Sequence, residues 1–152
     1  MRRRVYTDTS VIGGAEDREF RDTSRRLLEA FQRGDMTLVI SELTLRELEA
    51  APAGVRDALG RIAPEMIEVL PVVREAEELA DAYIADGAVG PRMRADALHI
   101  ALATVARVDV LVSWNFKHIV NLTRIHAYNA VNLKRGYPLL EIRTPREIVE
   151  DG

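Results

Sequence analysis

Asp8 is the first residue of the sequence that combines a reactive side chain with a suggestive position. It ends an apolar run in "VYTDTSVIGG" and is followed by Thr9 and Ser10. This places a carboxylate and two hydroxyls at the carboxyl end of a predicted strand, where parallel sheets bind their ligands. Ser10 would hydrogen-bond the Asp8 carboxylate or a metal-bound water, or cap the next turn. The alternative for Asp8 is a turn or N-cap residue.

Glu47 occupies an unusual position on its predicted helix, "SELTLRELEAA". At about 100° per residue, the other charged side chains of this helix share one solvent-type face. Glu47 does not join them, because it projects between Leu43 and Ala51. A carboxylate on an apolar face is costly unless it is paired or binds a metal. Glu47 is therefore either a boundary residue paired with an arginine or a metal ligand.

Asp96 stands near the start of a segment that is apolar almost all round. "ALHIALATVA", from Ala97 to Ala106, predicts a buried helix. The ordinary explanation for Asp96 alone is that an acid in the first helical turn interacts favourably with the helix dipole. The alternative is that Asp96 faces a site shared with acids from other elements.

Asp8, Glu47 and Asp96 come from separate elements that a sheet flanked by helices can bring together. Clustered carboxylates repel one another unless a hard cation neutralises them, and their oxygens suit Mg²⁺ or Mn²⁺. Such sites hydrolyse phosphodiesters, because the metal activates water and stabilises charge on the phosphate oxygens. Jointly, the three acids predict this chemistry.

The segment "VDVLVSWNFKHIV", from Val108 to Val120, changes character at Ser113. Its apolar half predicts a strand buried on both sides. Its polar half begins where the strand ends, which is again the position of ligand sites in parallel sheets. We therefore expect Asn115 to face the same site, with Ser113 beside it.

Several neighbouring residues have ordinary structural explanations. His99 follows Asp96 by three residues and is expected to be a hydrogen-bonded structural histidine rather than a proton shuttle. His118 and His126 are expected at solvated positions or helix ends. Trp114 and Phe116 flank Asn115; they are expected to pack the loop against the core, although aromatic faces also stack on unpaired bases.

Short runs rich in Val and Ile alternate with helical patterns along the chain. This alternation predicts an α/β fold, with a mostly parallel sheet covered by helices on both faces. Strands are predicted in "RRVYTDTSVI", "MTLVIS", "MIEVLPV", "VDVLVS" and "PLLEIR". Helices are predicted in "DTSRRLLEAFQRG", capped and ending at Gly34, and in "SELTLRELEAA", "GVRDALGRI", "REAEELADAYIADG", "RADALHIALATVAR" and from Thr123 to Lys134. "TPRE" has the form of a capping box.

Length and composition narrow the class of protein. The 152 residues suit one domain, residues 1–152, and show no repeat or linker. Cysteine is absent, which excludes disulfides and thiolate metal sites. No signal peptide or membrane-length apolar run is found, so a soluble, cytoplasmic protein is expected. The net charge of -3 does not indicate a basic nucleic-acid-binding domain.

Four of the segments together resemble a known family. "YTDTSVI", "ISELTLRELEA", "ADALHIALA" and "LVSWNFKHI", in this order, are similar to the PIN domain, and most to the VapC-like toxins of type II toxin–antitoxin systems. The resemblance covers Val5 to about Ile148. It implies a three-layer α/β/α sandwich with a mostly parallel five-stranded sheet, usually dimeric. The implied activity is that of a Mg²⁺- or Mn²⁺-dependent ribonuclease acting on single-stranded RNA.

The resemblance also implies roles for individual residues. Asp8 matches the first acid of the family, Glu47 its helical glutamate and Asp96 its third acid, so these three are the predicted catalytic and metal-binding residues. Ser10 and Ser113 are predicted to support them.

The fourth acid of the family follows the fourth strand in a Thr-x-Asp pattern, which here reads Ser113-Trp114-Asn115. Asn115 has one negative charge fewer than aspartate, so a second metal should bind more weakly and a single-metal mechanism becomes more plausible. Asn115 would then be a weak ligand or a holder of metal-bound water.

Two further interpretations stay open. A PIN-fold module that binds RNA or a protein with weak or no catalysis would also fit the missing acid and the negative net charge. An antitoxin would be a separate small protein whose tail enters the groove. A different phosphoryl-transfer enzyme is poorly supported, because "DTS" lacks a second aspartate and no glycine-rich phosphate loop is present.

Overall fold

A parallel sheet of five strands forms the centre of the computed structural model, which describes residues 2–14 and 18–150. The strands are β1 (Arg3–Thr7), β2 (Met36–Ser41), β3 (Ile67–Leu70), β4 (Val110–Val112) and β5 (Ile142–Arg143). Their order in the sheet is β3-β2-β1-β4-β5, and all four pairings are parallel. The first strand of the chain therefore lies at the centre of the sheet.

Helices cover both faces of the sheet. They are α1 (Thr9–Gly13), α2 (Arg21–Arg33), α3 (Glu42–Glu49), α4 (Ala53–Gly60), α5 (Arg74–Ala85), α6 (Arg94–Val105), α7 (Leu122–Lys134) and α8 (Pro145–Glu150). Among the described residues, no helix has both the length and the apolar character needed to cross a membrane.

Alternate residues of the central strands enter two separate cores. Val5 packs with side chains of α1, α2 and α8, whereas Tyr6 packs with those of α5, α6 and α7. The same alternation separates Val110 and Val112 from Leu111. Because successive side chains of a strand point to opposite faces, two cores require helices on both sides. The predicted three-layer α/β/α sandwich is confirmed.

The observed ends of some helices and strands match those predicted from the sequence, and others do not. The strand predicted at the start of "RRVYTDTSVI" ends at Thr7, and the residues after Asp8 form the short helix α1, which the sequence analysis did not predict. Helix α2 begins after Phe20 with no side-chain cap, so only its predicted end, Gly34 at φ 80°, is confirmed. Glycine adopts this left-handed conformation without steric cost. The predicted "TPRE" capping box is present, since Thr144 and Glu147 exchange hydrogen bonds.

The amino ends of the strands carry an ion pair between β1 and β3. Arg4 donates to both carboxylate oxygens of Glu68, at 2.9 and 2.7 Å, across the intervening strand β2. Its backbone N–H donates to Asp109, just before β4, at 2.7 Å. Both side chains of the Arg4–Glu68 pair are about one-third exposed, at 32 and 39%. This end of the sheet matches each acid with a cation or a backbone donor.

Candidate active site

Asp8 follows β1 directly and is buried, with 4% of its surface exposed. Ser10 Oγ donates to its Oδ1 and Ser113 Oγ to its Oδ2, both at 2.6 Å. Each hydroxyl also accepts a backbone N–H, Ser10 from Trp114 and Ser113 from Asn115, which directs its own hydrogen towards Asp8. Asp8 occupies the N-cap position of α1, but its side chain makes no cap hydrogen bond. The hydroxyls thus fix both oxygens of the carboxylate.

Burial raises the pKa of Asp8 above its usual range, and the nearby His99 together with the two hydroxyl hydrogen bonds only partly opposes this effect. No Lys or Arg forms an ion pair with Asp8 among the residues that the structure describes. A buried carboxylate held by neutral donors retains an unbalanced negative charge when it is ionised. Such a group is suited to a positive ligand.

Glu47 is half-buried on α3 and is paired, but not with an arginine. His99 Nε2 lies 2.7 Å from its Oε1, and Thr9 Oγ1 donates to the same oxygen at 2.6 Å. Burial alone would raise the pKa of Glu47, but these two hydrogen bonds and the electrostatic attraction of His99 together outweigh it and lower the pKa. The sequence placed Glu47 correctly away from the charged face of its helix. It did not identify the partners, which come from α1 and α6.

Asp96 lies in the first turn of α6 and is electrostatically coupled to Asp8. Burial raises the pKa of Asp96, and the nearby negative charge of Asp8 raises it further. The Asn115 amide donates a hydrogen bond to Asp96 and lowers the pKa in part. The helix-dipole explanation of Asp96 is therefore incomplete, because the structure also brings it close to Asp8.

Asn115 connects Asp96 to the loop after β4. Its Oδ1 accepts the backbone N–H of His118 at 2.9 Å, and its backbone carbonyl accepts from Ile119 and Val120 at 3.1 and 2.8 Å. The amide oxygen thus closes the turn, and the amide nitrogen faces Asp96. The structure places Asn115 beside the acids, as predicted, with its amide oxygen engaged within the protein.

Trp114 and Phe116, the two aromatic neighbours of Asn115, differ in environment. Trp114 is buried, stacks on Phe20 with ring centroids 4.2 Å apart, and donates from Nε1 to Ser24 Oγ at 2.9 Å. Phe116 leaves 50% of its surface exposed, although its ring lies 6.2 Å from that of Trp114. The expectation of packing is confirmed for Trp114, whereas Phe116 packs only in part and is half exposed.

Histidines and asparagines near the site partly follow the sequence predictions. His99 is a buried, hydrogen-bonded residue and His126 is exposed, as expected. His118 was expected at a solvated position or a helix end, but it lies in a turn, is half-buried, and its Nδ1 has no hydrogen-bond partner among the described residues. Asn121, just before α7, donates to the carbonyls of Phe116 and Lys117 and accepts from Arg124 N. These hydrogen bonds close the 113–121 loop next to the site.

The donor atoms of the site fit a hard divalent cation, although the acids do not form a ready-made cage. Within residues 2–14 and 18–150, no group of three or more His, Asp or Glu side chains lies in an arrangement that would hold an ion. Mg²⁺ is commonly bound through one or two carboxylates while it keeps several waters. The coupled pair of Asp8 and Asp96 fits this pattern, and Glu47 would act from a neighbouring position.

Three solved structures share the fold at low sequence identity. The Mycobacterium tuberculosis toxin VapC20, described as cleaving the sarcin–ricin loop, is 16% identical with a TM-score of 0.54 and covers 70% of this chain and 86% of its own. A toxin–antitoxin complex from Klebsiella pneumoniae is 17% identical with a TM-score of 0.55, and the match covers 79% of this chain and 93% of the other. VapBC2 from Rickettsia felis, bound to a promoter DNA fragment, is 16% identical with a TM-score of 0.54, and the match covers 93% of this chain and 98% of the other. At these identities the likeness establishes the fold.

Sequence comparison identifies the family directly. Comparison with curated proteins gave no match. The PIN domain family model matches residues 5–118, a segment that begins within β1 and ends in the loop after β4. It contains Asp8, Glu47, Asp96 and Asn115, and it covers well over half of the chain. The chain therefore belongs to the PIN domain family.

Proposed function

We propose that this protein is a metal-dependent endoribonuclease that hydrolyses phosphodiester bonds of single-stranded RNA. The observation that carries the proposal is the electrostatically coupled pair of Asp8, which is buried, and Asp96, which is half-buried. The pKa values of both are raised, and neither carboxylate forms an ion pair with Lys or Arg in the described part of the chain. Membership of the PIN domain family, together with the likeness to toxin structures, supports a nuclease.

Asp8 and Asp96 would hold Mg²⁺ or Mn²⁺, and Glu47 would bind the metal or its water from the side. The bound metal supplies an activated water and neutralises charge that develops on the phosphate oxygens. The protein residues keep the oxygens in place: Ser10 and Ser113 fix Asp8, and His99 and Thr9 fix Glu47. Asn115 replaces an acid with a neutral amide, which favours one metal over two.

The exposed ring of Phe116 supports a single-stranded substrate. It directly follows Asn115 in the chain, so its Cα lies about 3.8 Å from that of Asn115. Aromatic faces stack on unpaired bases with little sequence preference, whereas bases within a duplex are already stacked. Lys117 is also exposed and would meet a phosphate of the substrate.

The protein is further proposed to be the toxin of a toxin–antitoxin pair. Two of the similar structures are described as a toxin–antitoxin complex and as VapBC2, which supports a protein partner. A homodimer is part of the same proposal. Co-expression with the product of a short open reading frame directly upstream tests the pairing: a stable complex that suppresses cleavage is expected, and full activity in its presence would contradict it.

Asp8→Asn tests the ribonuclease directly. Cleavage of a fluorescently labelled single-stranded RNA with Mn²⁺ should fall at least about 100-fold, because loss of several kcal/mol of transition-state stabilisation corresponds to that change. One serine hydroxyl can keep donating to the new amide oxygen, and the other can rotate to accept from the amide N–H, so the fold should persist. Asp86→Asn, an exposed acid paired with Lys134, is the control and should keep full activity.

The same cleavage assay distinguishes a ribonuclease from the RNA-binding module that the sequence left open. Unchanged cleavage by Asp8→Asn would contradict the ribonuclease. Tight RNA binding by the wild-type protein without turnover in Mg²⁺ or Mn²⁺ would support a binding module instead.

A further inference from the structure

His99 lies at the centre of a buried hydrogen-bond chain that begins and ends on α3. The chain starts at the N-cap of α3, where Thr44 N donates to Ser41 Oγ at 3.3 Å. Ser41 Oγ lies 2.9 Å from the Tyr6 hydroxyl, which lies 2.7 Å from His99 Nδ1. His99 Nε2 then contacts Glu47, six residues after the cap on the same helix.

Both nitrogens of the imidazole are engaged, so the ring cannot turn without losing a buried hydrogen bond. His99 is 2% exposed and Tyr6 is 0% exposed, and water does not offer a substitute at either contact. Their rings meet edge to face, with centroids 5.8 Å apart. Unmade buried hydrogen bonds are costly, which makes this orientation of His99 strongly preferred.

One consistent set of hydrogen-bond directions follows from what each group can donate. An ionised Glu47 only accepts, so the proton of the contact lies on His99 Nε2. Ser41 Oγ accepts from Thr44 N and can donate to Tyr6, which leaves the Tyr6 hydroxyl free to donate to His99 Nδ1. Burial raises the pKa of Tyr6, so the hydroxyl keeps its proton. One neutral tautomer of His99 satisfies every member of the chain.

We propose that His99 is a positioning residue, held by Tyr6 as the neutral Nε2–H tautomer, which fixes Glu47 so that its Oε2 faces the metal site. This inference rests on the proposed function for the role of Glu47, but not for the tautomer. Both hydrogen bonds that Glu47 makes among the described residues fall on Oε1. Oε2 is therefore the oxygen left for a metal or a water.

The tautomer is measured by ¹⁵N NMR of the histidine side chains near neutral pH. The chain has three histidines, so His118→Gln and His126→Gln assign the spectrum. A protonated Nε2 with a bare Nδ1 is expected for His99 in the wild-type protein. An Nδ1–H tautomer or a doubly protonated ring would overturn the inference whether or not the protein cleaves RNA.

Tyr6→Phe removes the hydroxyl that selects the tautomer and keeps the ring. A mixture of His99 tautomers is expected, together with a loss of about 10–100-fold in Mn²⁺ affinity, the usual effect of removing a group that orients a ligand. Tyr83→Phe is the matched control: Tyr83 is equally buried, and its hydroxyl bonds Asn132 and Thr104 instead. It should change neither the tautomer nor the Mn²⁺ affinity, even if it lowers stability.

Conservative replacement separates positioning from packing. The amide of His99→Gln can still donate to Glu47, so Mn²⁺ affinity should largely persist, whereas His99→Leu should lose it to the same extent as Tyr6→Phe. Equal Mn²⁺ affinities for His99→Gln and His99→Leu, or for Tyr6→Phe and Tyr83→Phe, would assign His99 a structural role only and overturn the proposal. Absence of RNA cleavage by the wild-type protein would count against the proposed function alone.

Discussion

Charged residues lie at both ends of the sheet, but their charges are balanced in different ways. At the amino ends, Arg4 binds Glu68 through two hydrogen bonds in a partly exposed ion pair. At the carboxyl ends, Asp8, Glu47 and Asp96 receive hydrogen bonds from hydroxyls, an imidazole and an amide, and none forms an ion pair with Lys or Arg within the described residues.

The difference distinguishes charged residues that stabilise the fold from charged residues that are available to bind a ligand. An ion pair neutralises its own charge and leaves nothing for a ligand. Neutral donors hold a carboxylate in place but leave its charge available, at a cost in stability when the site is empty. Variants at the two ends should therefore respond differently to pH, metal and salt.

Ser113→Ala should give the largest loss of stability. It removes one of the two donors to buried Asp8 and leaves Asn115 N without its acceptor, so a loss of about 1–3 kcal/mol is expected in urea unfolding. Ser24→Ala is the control, since Ser24 is equally buried but accepts from neutral Trp114; about 0.5–1.5 kcal/mol is expected there.

The Ser113→Ala loss should also depend on pH. Ser113 lowers the pKa of Asp8, so its removal raises that pKa further in the folded protein. A group with a raised folded pKa destabilises the protein as the pH rises through that value, and the effect disappears below the unfolded pKa. The penalty should thus shrink on acidification and in an Asp8→Asn background. Equal, pH-independent losses for Ser113→Ala and Ser24→Ala would contradict the comparison.

Asn115→Asp should change stability less than Ser113→Ala does, and the change should be a loss without metal but a gain when Mn²⁺ is bound. Without metal, a carboxylate replaces the amide that donates to Asp96, and the repulsion should cost on the order of 1 kcal/mol, about one pKa unit. With Mn²⁺, the added charge should strengthen binding, measured by calorimetry and by a larger metal-induced rise in Tm than in the wild-type protein. Gln32→Glu adds the same charge at an exposed position of α2 and should show neither change. Unaltered Mn²⁺ affinity in Asn115→Asp would argue that Asn115 does not face the metal site.

Glu68→Gln, at the other end of the sheet, should have the smallest effect. A partly exposed ion pair contributes about 0–1 kcal/mol, so unfolding in low salt should reveal a loss of at most that size. High salt should remove most of the difference, and Mn²⁺ should have no influence. A loss as large as that of Ser113→Ala, or one insensitive to salt, would show that the amino ends do not differ from the carboxyl ends as described.

The fold was predictable because local patterns carry it. Strand β2 is recognisable as buried from its apolar run "LVI", and helix α6 from apolar residues on all of its sides. Gly34 identifies the end of α2. The unpredicted helix α1 shows the limit of this information, since its five residues include β-branched side chains that also suit a strand.

The candidate site was predictable in its members but not in its contacts. The three acids stood out by position: Asp8 follows a predicted strand, Glu47 lies off the charged face of its helix, and Asp96 precedes an almost wholly apolar helical segment. The contact between Glu47 and His99 joins residues 52 apart, and depends on the relative rotation of α3 and α6. A sequence pattern describes one helix at a time, so it assigned Glu47 an arginine or a metal and left His99 separate.

The central position of β1 has a consequence for synthesis of the protein. A nascent chain folds from its amino end as it emerges, yet β1 obtains its β4 neighbour, and Asp8 its second hydroxyl, only from residues 105 or so positions later. When Asp8 and Glu47 have been synthesised, the nascent chain therefore contains two of the acids but still lacks Asp96, Asn115 and Ser113. The site comes into existence only after Asn115 has been added and has left the ribosome, so nascent chains that end before this residue lack it.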